Sequence, residues 1–523
     1  MSIVTDVGRG LPPAGTAGGP PAAPATPGTL HTKAGRPRHV VVVCGQSQDR
    51  RGSPATDTES TVERHTLWSG HPRVRPTCGI RPHRRETAGV TPVRSVTTMT
   101  GPTGAAARPG TPSDRTEEWT MPLTSTSDVY YDPYDAGIDA DPYPVWRRLR
   151  DEAPLYYNEK YDFYALSRFE DVEPALSDWN TYRSGRGSIL ELIKADIQLP
   201  SGIILFEDPP IHDLHRGLLA RVFTPRKMNA LEPKIREFCA RSLDPLVGTE
   251  RFDFIRDLGA QMPMRTIGFL LGIPEADQEA IRDRLDEGLQ LREGEDPSVS
   301  AEDFNAAEFG AEEFGTYIDW RAAHPSDDLM TELLTAEFED ETGTVRRLHR
   351  GEVLTYVTML AGAGNETTTR LIGWAGKILA ENPDQRRELV EDRSLIPNAV
   401  EELLRFEAPS PVQARHVARD VEHHGHTVPA GSIMVLLNGS ANRDERRFAD
   451  PDRFDVHRDV GRHLSFGYGI HHCLGAALAR LEGRVALDEV LSRFPTWEID
   501  WDNAVQARTS TVRGWETMPA FVR

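Results

Sequence analysis

One cysteine, Cys473, lies in the run Phe466-Gly467-Tyr468-Gly469-Ile470-His471-His472-Cys473-Leu474-Gly475. Leu474, Leu478, Leu481 and Val485 follow at intervals of four, three and four, the period of one helix face. Cys473 therefore sits at or just before a helix N-terminus, where the macrodipole and unpaired N–H groups favour an anionic sulfur. The glycines let backbone approach that sulfur closely. A thiolate held this way is a soft axial ligand, and haem iron is one metal that takes it. A structural cysteine at a loop–helix junction is the plainer alternative.

Three further pairs could do chemistry or hold it in place. His212 and Arg216 are four apart after Asp208-Pro209-Pro210, so they share a helix face and can clamp a carboxylate or phosphate; otherwise they form a solvated basic face. Thr367 lies on the helix face Val353, Val357, Leu360, Gly364, Thr367, Leu371, with Glu366 about 100° round from it. Gly364 there costs about 1 kcal/mol relative to Ala. Its presence implies a close approach to the backbone or a locally opened helix. For an arbitrary helix, Thr367 would bond back to its own carbonyl and Glu366 would face solvent. Glu402 and Arg405, three apart on a short helix after Pro397, can pair.

The Cys473 stretch resembles the haem-ligand loop of cytochromes P450, Phe-x-x-Gly-x-x-x-Cys-x-Gly, with Phe466, Gly469, Cys473 and Gly475 in its fixed places. Four more segments resemble that family in the same order: Asp-Pro-Pro-x-His-x-x-x-Arg with Phe223-Thr224-Pro225, Ala363-Gly364-Asn365-Glu366-Thr367, Glu402-x-x-Arg405, and Pro451-Asp452-Arg453-Phe454. The resemblance spans about 128–523. It implies a mainly α fold with a smaller β region and haem b between the Thr367 helix and the Cys473 loop. Cys473 would bind the iron and Phe466 would shield the sulfur. His212, Arg216, Arg415 and His471 would hold the propionates. His472, beside the cysteine, has no clear assignment. Thr367 and Glu366 would manage the protons that O2 activation consumes. Glu402, Arg405 and Arg453 would form a buried structural network.

The implied reaction is monooxygenation of a hydrophobic small molecule. No flavin module and too few cysteines for an iron–sulfur domain are visible, so electrons must come from a separate ferredoxin and its NAD(P)H-dependent reductase. Arg221, Arg226, Lys227 and Arg462 are candidate docking residues. Two other readings stay open: a haem-thiolate enzyme that uses peroxide or isomerises its substrate, and a non-enzymatic haem sensor or carrier. Neither accounts for an acid–alcohol pair on the long helix.

The elements that must position these groups are legible. Ala153–Tyr157 and Phe163–Leu166 read as a hairpin, 184–200 as a loop with a short helix, and 231–271 as helices stopped by Gly272-Ile273-Pro274. The acidic stretch 275–341 is helical, with Glu308, Glu312 and Glu313 on a solvated face. Strand-like runs carry Arg415 and Ile433–Leu437. Substrate contacts are expected in 189–199, 360–364, 410–413 and at Ser510-Thr511-Val512.

Four cysteines in 523 residues, with no C-x-x-C spacing, argue against a disulfide-stapled secreted chain, and a cytoplasmic monomer is expected. The net charge of -20 argues against a nucleic-acid binder. No apolar run approaches the roughly 20 residues of a membrane span. Residues 1–120 carry 15 Lys and Arg against 9 Asp and Glu, whereas the remainder carries 45 against 71. That shift, with Pro/Gly/Arg-rich composition, predicts a disordered extension ahead of a single domain over 121–523. Met99 or Met121 is then a candidate native start.

Overall fold

The computed structural model describes residues 128–287, 306–509 and 512–523. All belong to one unit of the chain, Pro112–Arg523. The expected extension over 1–120 and the two candidate start methionines fall outside the described residues, as do Ser510 and Thr511 and the side chains of Glu308, Glu312 and Glu313.

Helix α1 (Tyr143–Glu152) starts behind Pro142, with Pro144 in its first turn. The expected hairpin follows: β1 (Leu155–Asn158) pairs antiparallel with β2 (Phe163–Leu166), Leu155 opposite Leu166. β3 (Tyr182–Arg183) and a short helix at Leu190–Ala195 precede α2 (Ile211–Ala220), which begins directly after Pro209-Pro210 and carries His212 and Arg216. α3 (Glu232–Leu243) and α4 (Met262–Leu271) are the helices expected between 231 and 271, and Gly272 ends the second with φ of +72°.

Between them the chain does something its local pattern does not announce. Arg251–Asp253 is a strand, and a π-helical turn follows at Phe254–Gly259. Asp253 makes this junction: its carboxylate accepts from the N–H groups of Ile255, Arg256 and Met518.

The centre of the core is α5, the 32-residue helix Arg350–Glu381. His349 and Glu352 cap its start reciprocally, and Arg346 grips Glu352 through two bonds of 2.8 Å. Val353, Val357, Leu360 and Leu371 are buried, as the spacing requires, while Gly364 and Thr367 on the same face stay partly accessible. The helix runs unbroken through Gly364, so the expected local opening is not found. A Cβ at 364 would meet Ile267 of α4 at an ordinary 3.5 Å.

α6 (Ile396–Phe406) leads to β4 (Gln413–Val417) and, after a turn, β5 (Ile433–Leu436). The sheet order is β1-β2-β5-β4-β3, with β5 parallel to β2 and antiparallel to β4. This register sets Arg415 opposite Met434. α7 (Ala476–Arg493) follows the cysteine loop and packs against α3, α5 and α6. A hairpin of Val505–Ala507 with β6 (Gly514–Thr517) lies against α5. The strand Pro519–Val522 bridges Trp497–Ile499 and Arg251–Asp253. No helix among the described residues is long and apolar enough to cross a membrane.

Candidate functional site

The cysteine loop is built by two left-handed glycines, Gly467 (φ +65°) and Gly469 (φ +69°). The Cys473 N–H closes the loop on the Phe466 carbonyl at 2.8 Å. At Gly469 a Cβ would sit 2.8 Å from the Leu176 carbonyl oxygen and 2.9 Å from Ser177 Cα, so only glycine fits there. Gly475 caps α7, and a Cβ there would lie 3.9 Å from Cys473 Sγ, an ordinary contact. The crowding therefore sits at Gly469, against neighbouring backbone rather than against the sulfur.

Phe466 lies between Arg480, whose guanidinium is 4.4 Å from the ring centre, and the rings of His463 and His472. Arg480 and His463 both engage Glu401, which sits at about 2 despite its burial because those two partners favour the carboxylate. Sequence reasoning passed over Glu401, His463 and Arg480. The signal available was the position of Arg480, about one turn into the helix that follows Cys473.

Cys473 is exposed as a residue, yet the protein packed around its sulfur raises the thiol above its ordinary value, while the Gly475 N–H and the charges of Arg216 and Arg480 pull the other way. Helix α7 begins at Ala476, just after the cysteine. An iron ion bound at the sulfur would favour the thiolate.

Four basic side chains from three segments meet near this loop: His212 and Arg216 from α2, Arg415 from β4 and His471 from the loop. The rings of His212 and His471 stand edge to face, 4.6 Å between centres. Neither Nε2 atom, both buried, has a hydrogen-bond partner. Arg415 is 3% exposed, and among the described residues its guanidinium donates to the Ala414 carbonyl (2.7 Å) and Gln413 Oε1 (3.0 Å) alone. Burial lowers it to about 10, with only the Asp208 charge opposing. His471 is lowered to about 3 by burial and then by Arg415, His212 and Arg216. Arg216 Nη2 donates to the His472 carbonyl, and His472 is half-buried.

Two arginines and two histidines with unpartnered buried ring nitrogens, and among the described residues no carboxylate bonded to Arg415, form a site suited to an anion. Two carboxylates satisfy it, and haem carries two propionates. The residues fit that group.

On α5 the Thr367 hydroxyl donates to the Ala363 carbonyl at 3.3 Å, the plain back-bond. Glu366 departs from its plain alternative. It is 4% exposed, accepts from Arg370 Nη2 at 2.6 Å through Oε1, and leaves Oε2 buried without a partner.

Glu402 and Arg405 are both fully buried and joined by two bonds of 2.7 and 2.8 Å. Arg405 Nη1 also reaches the carbonyls of Asn442 and Pro451, each at 2.9 Å. The third member is not Arg453. That side chain is 68% exposed and pairs with Asp455. Arg458 takes the place, donating from Nε to Glu402 Oε1 at 3.0 Å and to the carbonyls of Ala449, Asp450 and Arg453. In this loop the backbone of Arg453, through its carbonyl, serves the network while its side chain turns to solvent.

Of the basic residues set out as docking candidates, Lys227 pairs with Glu332 and Arg462 with Glu173, while Arg221 and Arg226 are exposed.

A family model described as cytochrome P450 matches residues 317–512. The vitamin D(3) 25-hydroxylase of Pseudonocardia autotrophica is 36% identical over 406 residues, covering 76% of this chain and 98% of that protein. The cyclomarin C epoxidase CymV of Salinispora arenicola is 35% identical over 355 residues, 68% of this chain and 89% of that one. The solved cytochrome P450 CYP109Q5 from Chondromyces apiculatus is 33% identical with a TM-score of 0.65, over 75% of this chain and 98% of its own. The glycine-built cysteine loop, the basic cluster beside it and these relatives agree: the chain belongs to the cytochrome P450 family and is a haem-thiolate monooxygenase.

Proposed function

We propose that this chain binds haem b and places one atom of O2 into a C–H or C=C bond of a hydrophobic small molecule. The observation that carries the reading is the set His212, Arg216, Arg415 and His471 beside the Cys473 loop, with His212 and Arg415 buried, Arg216 and His471 partly buried, and two buried ring nitrogens unpartnered. When bound, haem supplies the redox chemistry of oxygen insertion. The protein's part is ligation by Cys473, charge neutralisation by the basic cluster and proton supply on α5.

Proton supply falls to Glu366 and Thr367. The Thr367 hydroxyl is partly accessible and both donates and accepts, so it can pass a proton along a hydrogen bond. Glu366, one residue earlier, can reload it. This pair favours oxygenation over the peroxide-using, isomerising and sensor readings, none of which requires protons delivered in register with electrons. The substrate regions 189–199, 360–364 and 410–413 are mostly apolar or small, which suits a hydrophobic guest. The names of the vitamin D(3) hydroxylase and the cyclomarin C epoxidase support the same class. A separate ferredoxin and NAD(P)H-dependent reductase supply electrons, with Arg221 and Arg226 at the docking face. The protein acts as a cytoplasmic monomer, with its catalytic domain over 121–523.

Reconstitution with NADPH and surrogate ferredoxin partners, after screening hydrophobic compounds for a haem spin-state shift, tests the reading. Product with one labelled oxygen from O2 supports it. Turnover with peroxide alone, or none with any compound that shifts the spin state, overturns it. Cys473→Ser is expected to abolish the thiolate absorption of the reduced carbon monoxide complex.

A further inference from the structure

Glu366, Arg370 and Trp374 stand at i, i+4 and i+8 on α5 and form one stripe along the helix. The stripe carries the acid at one end and is pinned to β6 at the other. Arg370 Nη1 donates to the Trp515 carbonyl, and Trp374 Nε1 donates to the Arg513 carbonyl at 2.9 Å. The Arg370 stem is pressed against the strand's first residue: a Cβ at Gly514 would lie 2.7 Å from Arg370 Cδ. The guanidinium therefore has little freedom in where it sits.

From that fixed place Arg370 grips one oxygen of Glu366 at 2.6 Å, in a pair whose side chains are 8% and 5% exposed. Arg370 Nε and Glu366 Oε2 are both buried and unpartnered. A purely structural ion pair satisfies all its donors and acceptors. This one holds the carboxylate by a single oxygen and leaves the other bare.

We propose that Arg370 is a positioning residue for proton delivery: it fixes the Glu366 carboxyl group by one oxygen and leaves the other oxygen free to take a proton. The inference rests on the Glu366–Thr367 reading above. Charged groups on the elements around this part of α5 are engaged elsewhere. Glu482 of α7 accepts from Thr368, and Asp257 accepts from the Asp253 N–H. Arg282 bonds Asp283 and the Ala260 carbonyl, Arg265 bonds Ser242, and Arg480 bonds Glu401. Glu516 of β6 is exposed. Arg370 is then the cation that holds Glu366.

The test is Arg370→Leu in the haem-loaded protein, read first by infrared spectroscopy of carboxylic-acid C=O absorption across about pH 5 to 9. Without its cation the buried acid protonates, because desolvation alone favours the neutral form. A new acid signal is expected at neutral pH, absent from the double variant Arg370→Leu with Glu366→Gln. The pH dependence of product formed per NADPH should move upward by about one unit or more. An Arg370→Leu protein with normal carbon monoxide spectrum, no new acid signal and the parent pH profile overturns the proposal. So does a new acid signal with an unmoved pH profile. Should that variant fail to accumulate, Arg370→Gln keeps the donor and removes the charge, with the same two outcomes. If Thr367→Ala couples as well as the parent, the acid–alcohol reading falls, while the infrared result still decides whether Arg370 governs the Glu366 carboxyl group.

Discussion

Two buried glutamates divide the molecule. Glu402, behind the cysteine loop, has both carboxylate oxygens bonded, to Arg405, to Arg458 and to the Asp455 N–H. Glu366, on the long helix, has one oxygen bonded and one bare. Both are carboxyl groups removed from water, and both have an arginine at helical spacing. The difference lies in how completely each is paired. A network that satisfies every donor and acceptor is hard to move and serves stability. A half-satisfied pair is a poor way to stabilise a fold and a good way to keep an acid ready.

The comparison breaks first at Glu402. Glu402→Leu leaves Arg405 fully buried without its counter-charge, and a loss of about 3–5 kcal/mol is expected in denaturant unfolding, enough to stop folded protein accumulating. Thr367→Ala should leave unfolding unchanged and divert electrons to peroxide. Product formed per NADPH is expected to fall about a hundredfold, the scale of a lost general acid or base; coupling equal to the parent would sink the assignment.

A third buried acid sharpens the contrast. Glu482 has no cation and only threonine partners, and burial raises it from 4.5 to about 8. The folded protein keeps this proton up to about pH 8, whereas an unfolded chain releases it near 4.5. Unfolding thus releases a proton between those limits, and stability falls as pH rises through them. Glu482→Gln should raise the melting temperature at pH 8 by an amount worth a few kcal/mol and change little near pH 5. A pH-independent difference would show that Glu482 does not titrate there. The smallest effect belongs to Arg453→Ala, within about 0.5 kcal/mol of the parent because its side chain is exposed. Arg458→Ala, by contrast, should cost about 1–3 kcal/mol.

What could be read from the sequence follows from how far each contact reaches. Helical spacing put His212 with Arg216, Glu402 with Arg405, and Thr367 on the core face of α5, because three or four residues fix a shared side. Glu366 and Arg370 obey the same spacing; the sequence could name the pair but not that both would be buried. Arg453 and Arg458 lie in a loop without period, so nothing local decided which side chain turned inward. The strand Arg251–Asp253 was read as part of a helical region. Its partner, Pro519–Val522, is remote in sequence, and a three-residue strand has little pattern of its own. The crowding at Gly469 was equally hidden, since it comes from backbone at Leu176 and Ser177.

That remote pairing has a bearing on how the chain comes to be folded. Met518 donates to Asp253 from 265 residues further along, and β5 slots between β2 and β4 as the middle strand of its sheet. Neither sheet can close while the ribosome is still making the helical middle of the protein. The early strands wait with unsatisfied edges, exposed to wrong partners, until the last segments arrive. Helices α3 to α5, whose bonds are local, form first, and the loop that presents Cys473 is completed among the last parts of the fold. A nascent chain of this kind gains most from slow synthesis or chaperone cover between about residues 250 and 430, and haem capture becomes an event at the end of biogenesis rather than a seed for it.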